Sequence, residues 1–132
     1  MLHSDILKNV SIKEEQGIVM LIFLDSPKDK ETDIALSESV IKKIKEIVKT
    51  KNSNKKLLID LTRLKSIGSM PSRSRKNYVE LGKGHLFKKV AIAGGNIHIR
   101  TITSFIIRAT GRMKYFKCFS SSSEALNWLK KN

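Results

Sequence analysis

Four short runs rich in β-branched, aliphatic and aromatic residues, Ile18–Phe23, Leu57–Leu61, Val90–Ala93 and Tyr115–Phe119, alternate with segments whose apolar residues recur every three or four positions. Runs of this length bounded by polar stretches read as strands, and the longer-period segments as amphipathic helices. Such alternation leaves few architectures, because strands joined through helices must pair mainly in parallel. Leu57–Leu61 and Val90–Ala93 are nearly all apolar, the pattern of strands covered on both faces.

The flanking signals complete the order. Ile6, Val10 and Ile12 precede Glu14-Glu15-Gln16-Gly17, a polar stretch ending in Gly that predicts a tight reversal into Ile18–Phe23 and so an antiparallel hairpin. After a polar connector, Thr32 or Asp33 is the expected cap of a first helix carrying Leu36, Val40, Ile44, Ile47 and Val48. Pro71 suits the first turn of a second helix running to about Leu81. Ile97, Ile102, Phe105, Ile106 and Ala109 outline a third, stopped at Gly111. Ser121-x-x-Glu124 is a capping box that opens a fourth, with Ala125, Trp128 and Leu129 on one face. The expected fold is α/β with the order β-β-α-β-α-β-α-β-α, a mixed and mostly parallel sheet. With 132 residues, one domain spanning 1–132 is expected.

Charge narrows the class of partner. Lys and Arg number 26 against 12 Asp and Glu, and the surplus is uneven: residues 1–50 hold 8 basic and 9 acidic side chains, residues 51–132 hold 18 and 3. A basic second part attracts anions, whether phosphate, lipid headgroup, nucleic acid or acidic protein. The longest apolar run, Ile18–Leu24, is far short of the roughly twenty residues that span a bilayer. No basic patch precedes an apolar stretch at the N-terminus, so a cytoplasmic protein is expected.

Several strings resemble the STAS superfamily, and within it the SpoIIAA-like, anti-sigma-factor-antagonist-like branch. They are Leu57-Leu58-Ile59-Asp60-Leu61, Ser72-Arg73-Ser74-Arg75-Lys76-Asn77-Tyr78, Lys89-Val90-Ala91-Ile92-Ala93, and Phe119 followed by Glu124-Ala125-Leu126-Asn127-Trp128-Leu129. The resemblance covers almost the full chain. It implies a SpoIIAA-like fold and a non-catalytic binding or regulatory role. In regulatory members an Asp-Ser pair after the third strand carries a serine phosphorylated by a partner kinase. That pattern implies Ser69 here, with Gly68 in place of the Asp and Met70-Pro71 in place of the small pair that follows.

The residues themselves suggest where an anion would bind. Thr62, Ser66, Ser69 and Ser72 place four hydroxyls near one helix start, and the N–H groups of a helix N-terminus can hold a phosphate. Capping by Ser69 is the plainer use. Arg73, Arg75 and Lys76 add positive charge, and Arg suits bidentate phosphate contact. In an open α/β sheet the carboxyl ends of the strands gather ligand loops, here Asp60 and Thr62 after one strand and Gly94-Gly95-Asn96 after the next. His3, His85 and His98 lack metal-ligand spacing, so no metal and no cofactor are expected. Cys118 is expected to pack as a small apolar residue in the last strand.

Three functions follow as expectations. The first is a non-catalytic module acting through a protein partner or a small anionic ligand at the start of the second helix. The second is a carrier associated with anionic lipid or membrane, recognisable by a continuous apolar cavity. The third, least supported, is a weak non-specific nucleic-acid binder or an enzyme. Specific nucleic-acid readout is not expected, since no base-stacking strand, helix-turn-helix or zinc module is present. Exposed apolar residues on the helices could pair two copies as a homodimer.

Overall fold

The structure is a computed structural model that describes residues 7–49, 53–65 and 70–131. Gln16 and Gly17 both take positive φ, 52° and 81°, the backbone of hairpin turns whose twist matches that of the flanking strands. They join β1 (Val10–Glu15) to antiparallel β2 (Ile18–Phe23), with Glu15 opposite Ile18. β3 (Lys56–Asp60), β4 (Val90–Ala93) and β5 (Phe116–Phe119) then add in parallel, each beside the last, so the spatial order equals the chain order. Between and after them lie α1 (Lys30–Ile47), α2 (Ser72–Lys83), α3 (Ile97–Thr110) and α4 (Ser122–Lys130). The expected fold class and element order are the ones observed.

Strands that step always in one direction, through crossovers of the usual right hand, place every crossover helix on the same face. The core divides accordingly. Val19 and Leu21 of β2, Leu57 of β3, and Val90 and Ile92 of β4 pack with Leu36, Val40 and Ile44 of α1 and with Ile99 and Ile107 of α3. The alternate residues Ile18, Leu58, Ala91 and Ala93 face the other way, against Ala125 and Leu129 of α4. β4 offers only alanines on that side, which lets α4 approach closely.

The end of α4 is held by lysines. Lys56 Nζ donates to the Leu129 carbonyl. Lys89 Nζ donates to Trp128 O at 3.3 Å and Lys131 O at 3.0 Å, and lies 4.5 Å from the Trp128 ring centroid. Cations at these carbonyls complement the negative end of the helix. At its start, Ser121 Oγ accepts from Glu124 N–H, as the capping box requires, while the Glu124 carboxylate accepts from the Ser120 and Ser121 hydroxyls.

Local expectations need five corrections. The cap of α1 is Asp29, whose carboxylate takes Thr32 N–H at 2.8 Å and Thr32 Oγ1–H at 2.9 Å; Thr32 and Asp33 lie inside the helix because the earlier carboxylate wins the cap. Pro71 is the N-cap of α2 rather than a residue of its first turn, and makes no side-chain cap bond. In α3, Ile97, Phe105 and Ala109 are exposed, the first two by 85% and 62%, whereas Ile102 and Ile106 turn inward as expected, beside Ile99 and Ile107. Cys118 is exposed, because β5 is an edge strand uncovered at that position. Tyr115 ends a short 3-10 turn before β5 begins at Phe116.

If α4 belongs to the core, Leu129→Ala costs roughly 2–5 kcal/mol in urea unfolding. A cost below about 1 kcal/mol contradicts that packing.

Candidate functional site

α2 is the least apolar helix of the fold. Ser74 is its one fully buried residue. It meets α1 through polar groups: Ser74 Oγ–H donates to the Asp33 carboxylate, and Asn77 Nδ2 donates to Ser37 Oγ at 2.9 Å. Asp33 and Ser37 share one helical face with Leu36, Val40 and Ile44, so two polar residues interrupt the buried stripe of α1. At its far end α2 lies close to α3. A Cβ on Gly82 would stand 2.6 Å from Thr110 Cγ2, so the absence of a side chain there sets how near the helices come.

Between these contacts an apolar cavity of about 140 Å³ runs beneath α2 and α3 over the sheet. Its floor is Leu57, Ile59, Val90 and Ile92, and its α3 wall is Ile99, Ile102, Ile106 and Ile107. Tyr78, Leu81 and Met70 close the α2 side. Polar groups stand at the two ends of the strands: Asp25, Ser26 and Asp33 near the carboxyl ends, and Thr110, Arg112 and Tyr115 near the amino ends. Burial pushes the Asp33 carboxyl above the ordinary carboxylate range, with the Ser74 hydroxyl opposing the shift. Burial, with the Asp33 charge nearby, also raises the Tyr78 phenol.

The residues singled out from sequence fall elsewhere. Ser66 and Ser69 lie outside the described residues. Ser72 is exposed, and its Oγ accepts from Arg75 Nη2 at 3.1 Å, while Arg75 Nη1 donates to Met70 O at 2.7 Å. Arg75 is thus turned back onto the start of its own helix. Arg73 and Lys76 point to solvent, with Arg73 3.9 Å from Glu38. Asp60 Oδ1 accepts from Thr62 N at 2.8 Å and Thr62 Oγ1 at 2.6 Å, closing the turn after β3. Gly94 and Gly95 take φ of 82° and 98°, and a Cβ on Gly94 would meet Thr62 backbone at 2.8 Å. Asn96 caps α3 through Ile99 N–H and reaches Lys65 O at 2.9 Å. The structure therefore places Asp60, Thr62, Gly94 and Asn96 in adjacent packed turns, Asp60 bonded to Thr62, Gly94 against Thr62, and Asn96 bonded to Lys65 O and Ile99 N–H. It brings neither the second-helix start nor these turns around an open anion cradle among the described residues.

Sequence reasoning missed Asp33, Ser37, Ser74, Tyr78 and Arg112. A signal existed for the first four: residues with polar groups on the inward period of two helices, Asp33 and Ser37 in α1 and Ser74 and Tyr78 in α2. Arg112 carried none, since it follows a helix-stopping Gly and reads as a loop cation. No group of three His, Cys, Asp or Glu side chains among the described residues is placed to hold a metal, and no described helix is long and apolar enough to cross a membrane.

A family described as "Domain of unknown function (DUF7793)" matches residues 12–132. No curated protein matches. Among solved structures, an uncharacterized protein from the DUF3478 family with a SpoIIAA-like fold, from Shewanella loihica PV-4, shares 22% identity. It covers 91% of each chain with a TM-score of 0.59. An anti-sigma factor antagonist from Mycobacterium paratuberculosis shares 20% identity over 92% of this chain and 93% of its own, with a TM-score of 0.50. The fold is STAS-like, of the SpoIIAA-like kind.

Asp33 supplies a test of the α1–α2 contact. Because its carboxyl titrates higher folded than unfolded, the stability it lends is complete at acid pH, below the unfolded value, and is lost as pH rises through the folded one. Asp33→Asn keeps an acceptor for Ser74 without a charge. Its Tm is expected to equal or exceed that of the parent at pH 7, the margin shrinking toward pH 4. A variant less stable than the parent at pH 7 contradicts a buried, charge-penalised Asp33.

Proposed function

The chain belongs to the DUF7793 family, and we propose that it is a non-catalytic binding module whose ligand compartment is the apolar cavity beneath α2 and α3. The observation that carries this reading is the cavity itself: a floor of Leu57, Ile59, Val90 and Ile92 roofed by a polar helix that brings Tyr78 and Leu81 to its wall and does not fill it. Dry apolar cavities of about 150 Å³ take up benzene-sized molecules. The occupant that fits is one ring or one short chain, not the two long tails of a membrane phospholipid. The carrier reading thus narrows to a small apolar or amphipathic molecule.

The cavity wall favours binding over chemistry. Ser74 is fully buried and does not line the cavity, and its hydroxyl is committed to the Asp33 carboxylate, so it is not presented to an occupant.

A second reading, protein or anion contact at the start of α2, draws support from a different observation. The first turn of that helix holds no acidic residue, and Arg73 and Lys76 are exposed there. Phosphorylation of Ser69 belongs with this reading. Inorganic phosphate titrated into isotope-labelled protein is then expected to shift the Ser72–Lys76 amides. Phosphate that leaves those amides unmoved removes it.

The cavity reading is tested with toluene. Ligand that binds only the folded state raises Tm, so toluene is expected to raise the Tm of the parent and not that of Ile102→Phe, in which the ring occupies the space. Filling the cavity is expected to stabilise the ligand-free chain by about 0.5–2 kcal/mol. Equal toluene response in both proteins contradicts the cavity as the compartment.

A further inference from the structure

The cavity is not uniform along its length, and its polarity names a class of ligand. Resting on the cavity reading above, we infer that the compartment takes a compact monocarboxylate, with an apolar body of about one ring among the isoleucines of α3 and its carboxylate at Arg112.

Among the described residues, Arg112 is the one cation on the cavity wall. Its guanidinium has no carboxylate within ion-pair distance among the described residues. One side-chain hydrogen bond engages it there, from Nη1 to Gly82 O at 3.2 Å, and its Nε is buried with no acceptor. A buried N–H left unmatched is costly, and the rest of the Arg112 side chain is half-buried at the cavity's end. The group is nevertheless held in place: the Arg112 backbone N–H donates to Thr110 Oγ1 at 3.1 Å, and the guanidinium carbon lies 4.4 Å from the Tyr115 ring centroid. An orienting frame without a counter-ion is the arrangement of an anion receptor, and a carboxylate can accept charge-assisted hydrogen bonds from the Nη groups.

The opposite end fixes the direction. Asp25 and Asp33 line the cavity at the carboxyl ends of the strands, so an anion is disfavoured there and favoured at Arg112. Tyr115 and Phe116 flank the cationic end with aromatic surface. The cavity volume limits the body to one ring or a short chain.

The test compares two molecules of one skeleton, 3-phenylpropionate and 3-phenylpropan-1-ol, by titration calorimetry at pH 7.5 and low salt. The acid is expected to bind the parent at least about tenfold more tightly than the alcohol, the scale of a hydrogen bond to a charged group. Arg112→Gln is expected to abolish that preference while leaving the alcohol unchanged, and Arg112→Lys to retain part of it. In the parent, acid binding is expected to move the amides of Gly82, Thr110 and Arg112. Alcohol and acid binding alike, or a preference that survives Arg112→Gln, overturns the carboxylate assignment while leaving the cavity reading intact. Binding of neither molecule, with no toluene response, overturns the cavity reading and this inference with it.

Discussion

The polar clasp between α1 and α2 decides the shape of this fold. Asp33 with Ser74, and Ser37 with Asn77, occupy positions where a crossover helix usually buries aliphatic side chains. Each such hydrogen bond contributes about 0.5–1.5 kcal/mol net, against roughly 1.5–3 kcal/mol for fully burying a Leu or Ile. The clasp therefore positions α2 without sealing it to the sheet. With Gly82 setting the approach to α3 at the far end, the space over β3 and β4 is left open and lined by carbon. β3 itself is central in the sheet and packed on both faces, so its part of the cavity floor is held from both sides.

The positive surplus after residue 50 has more than one use. Lys56 and Lys89 serve α4, meeting the carbonyls at its C-terminus, and burial together with Lys56, Lys88 and Lys131 holds Lys89 below the ordinary lysine value. Arg75 is bonded to the start of its own helix. Arg73 and Lys76 face solvent on α2, and Arg112 faces the cavity. A formal charge count therefore mixes architectural cations with those free to meet a partner, and only the position of each side chain separates them.

The fold was legible because it rests on local patterns. The hairpin at Gln16-Gly17, the two-sided burial of Leu57 and Leu58, the stop at Gly111 and the capping box at Ser121 and Glu124 all depend on neighbours within a few residues. Competition between nearby groups was less legible: Asp29 outcompeted Thr32 and Asp33 for a cap that any of them could make. The cavity was hidden for a different reason. It is defined by side chains that are missing from α2, and by contacts such as Asp33–Ser74 and Ser37–Asn77, which join residues about forty positions apart. Motif reasoning looked to the loops at the strand ends, where polar residues gather in sequence. Asp60, Thr62, Gly94 and Asn96 proved to be bonded to one another or to nearby backbone, completing turns.

A crystal structure determined under xenon pressure addresses the central claim directly, because xenon enters dry apolar cavities without needing a polar contact. The predicted result is a xenon peak between Ile59 and Ile92 on the sheet and Ile102 and Ile106 on α3. Side chains of α2 filling that space, with xenon confined to the surface, contradict it.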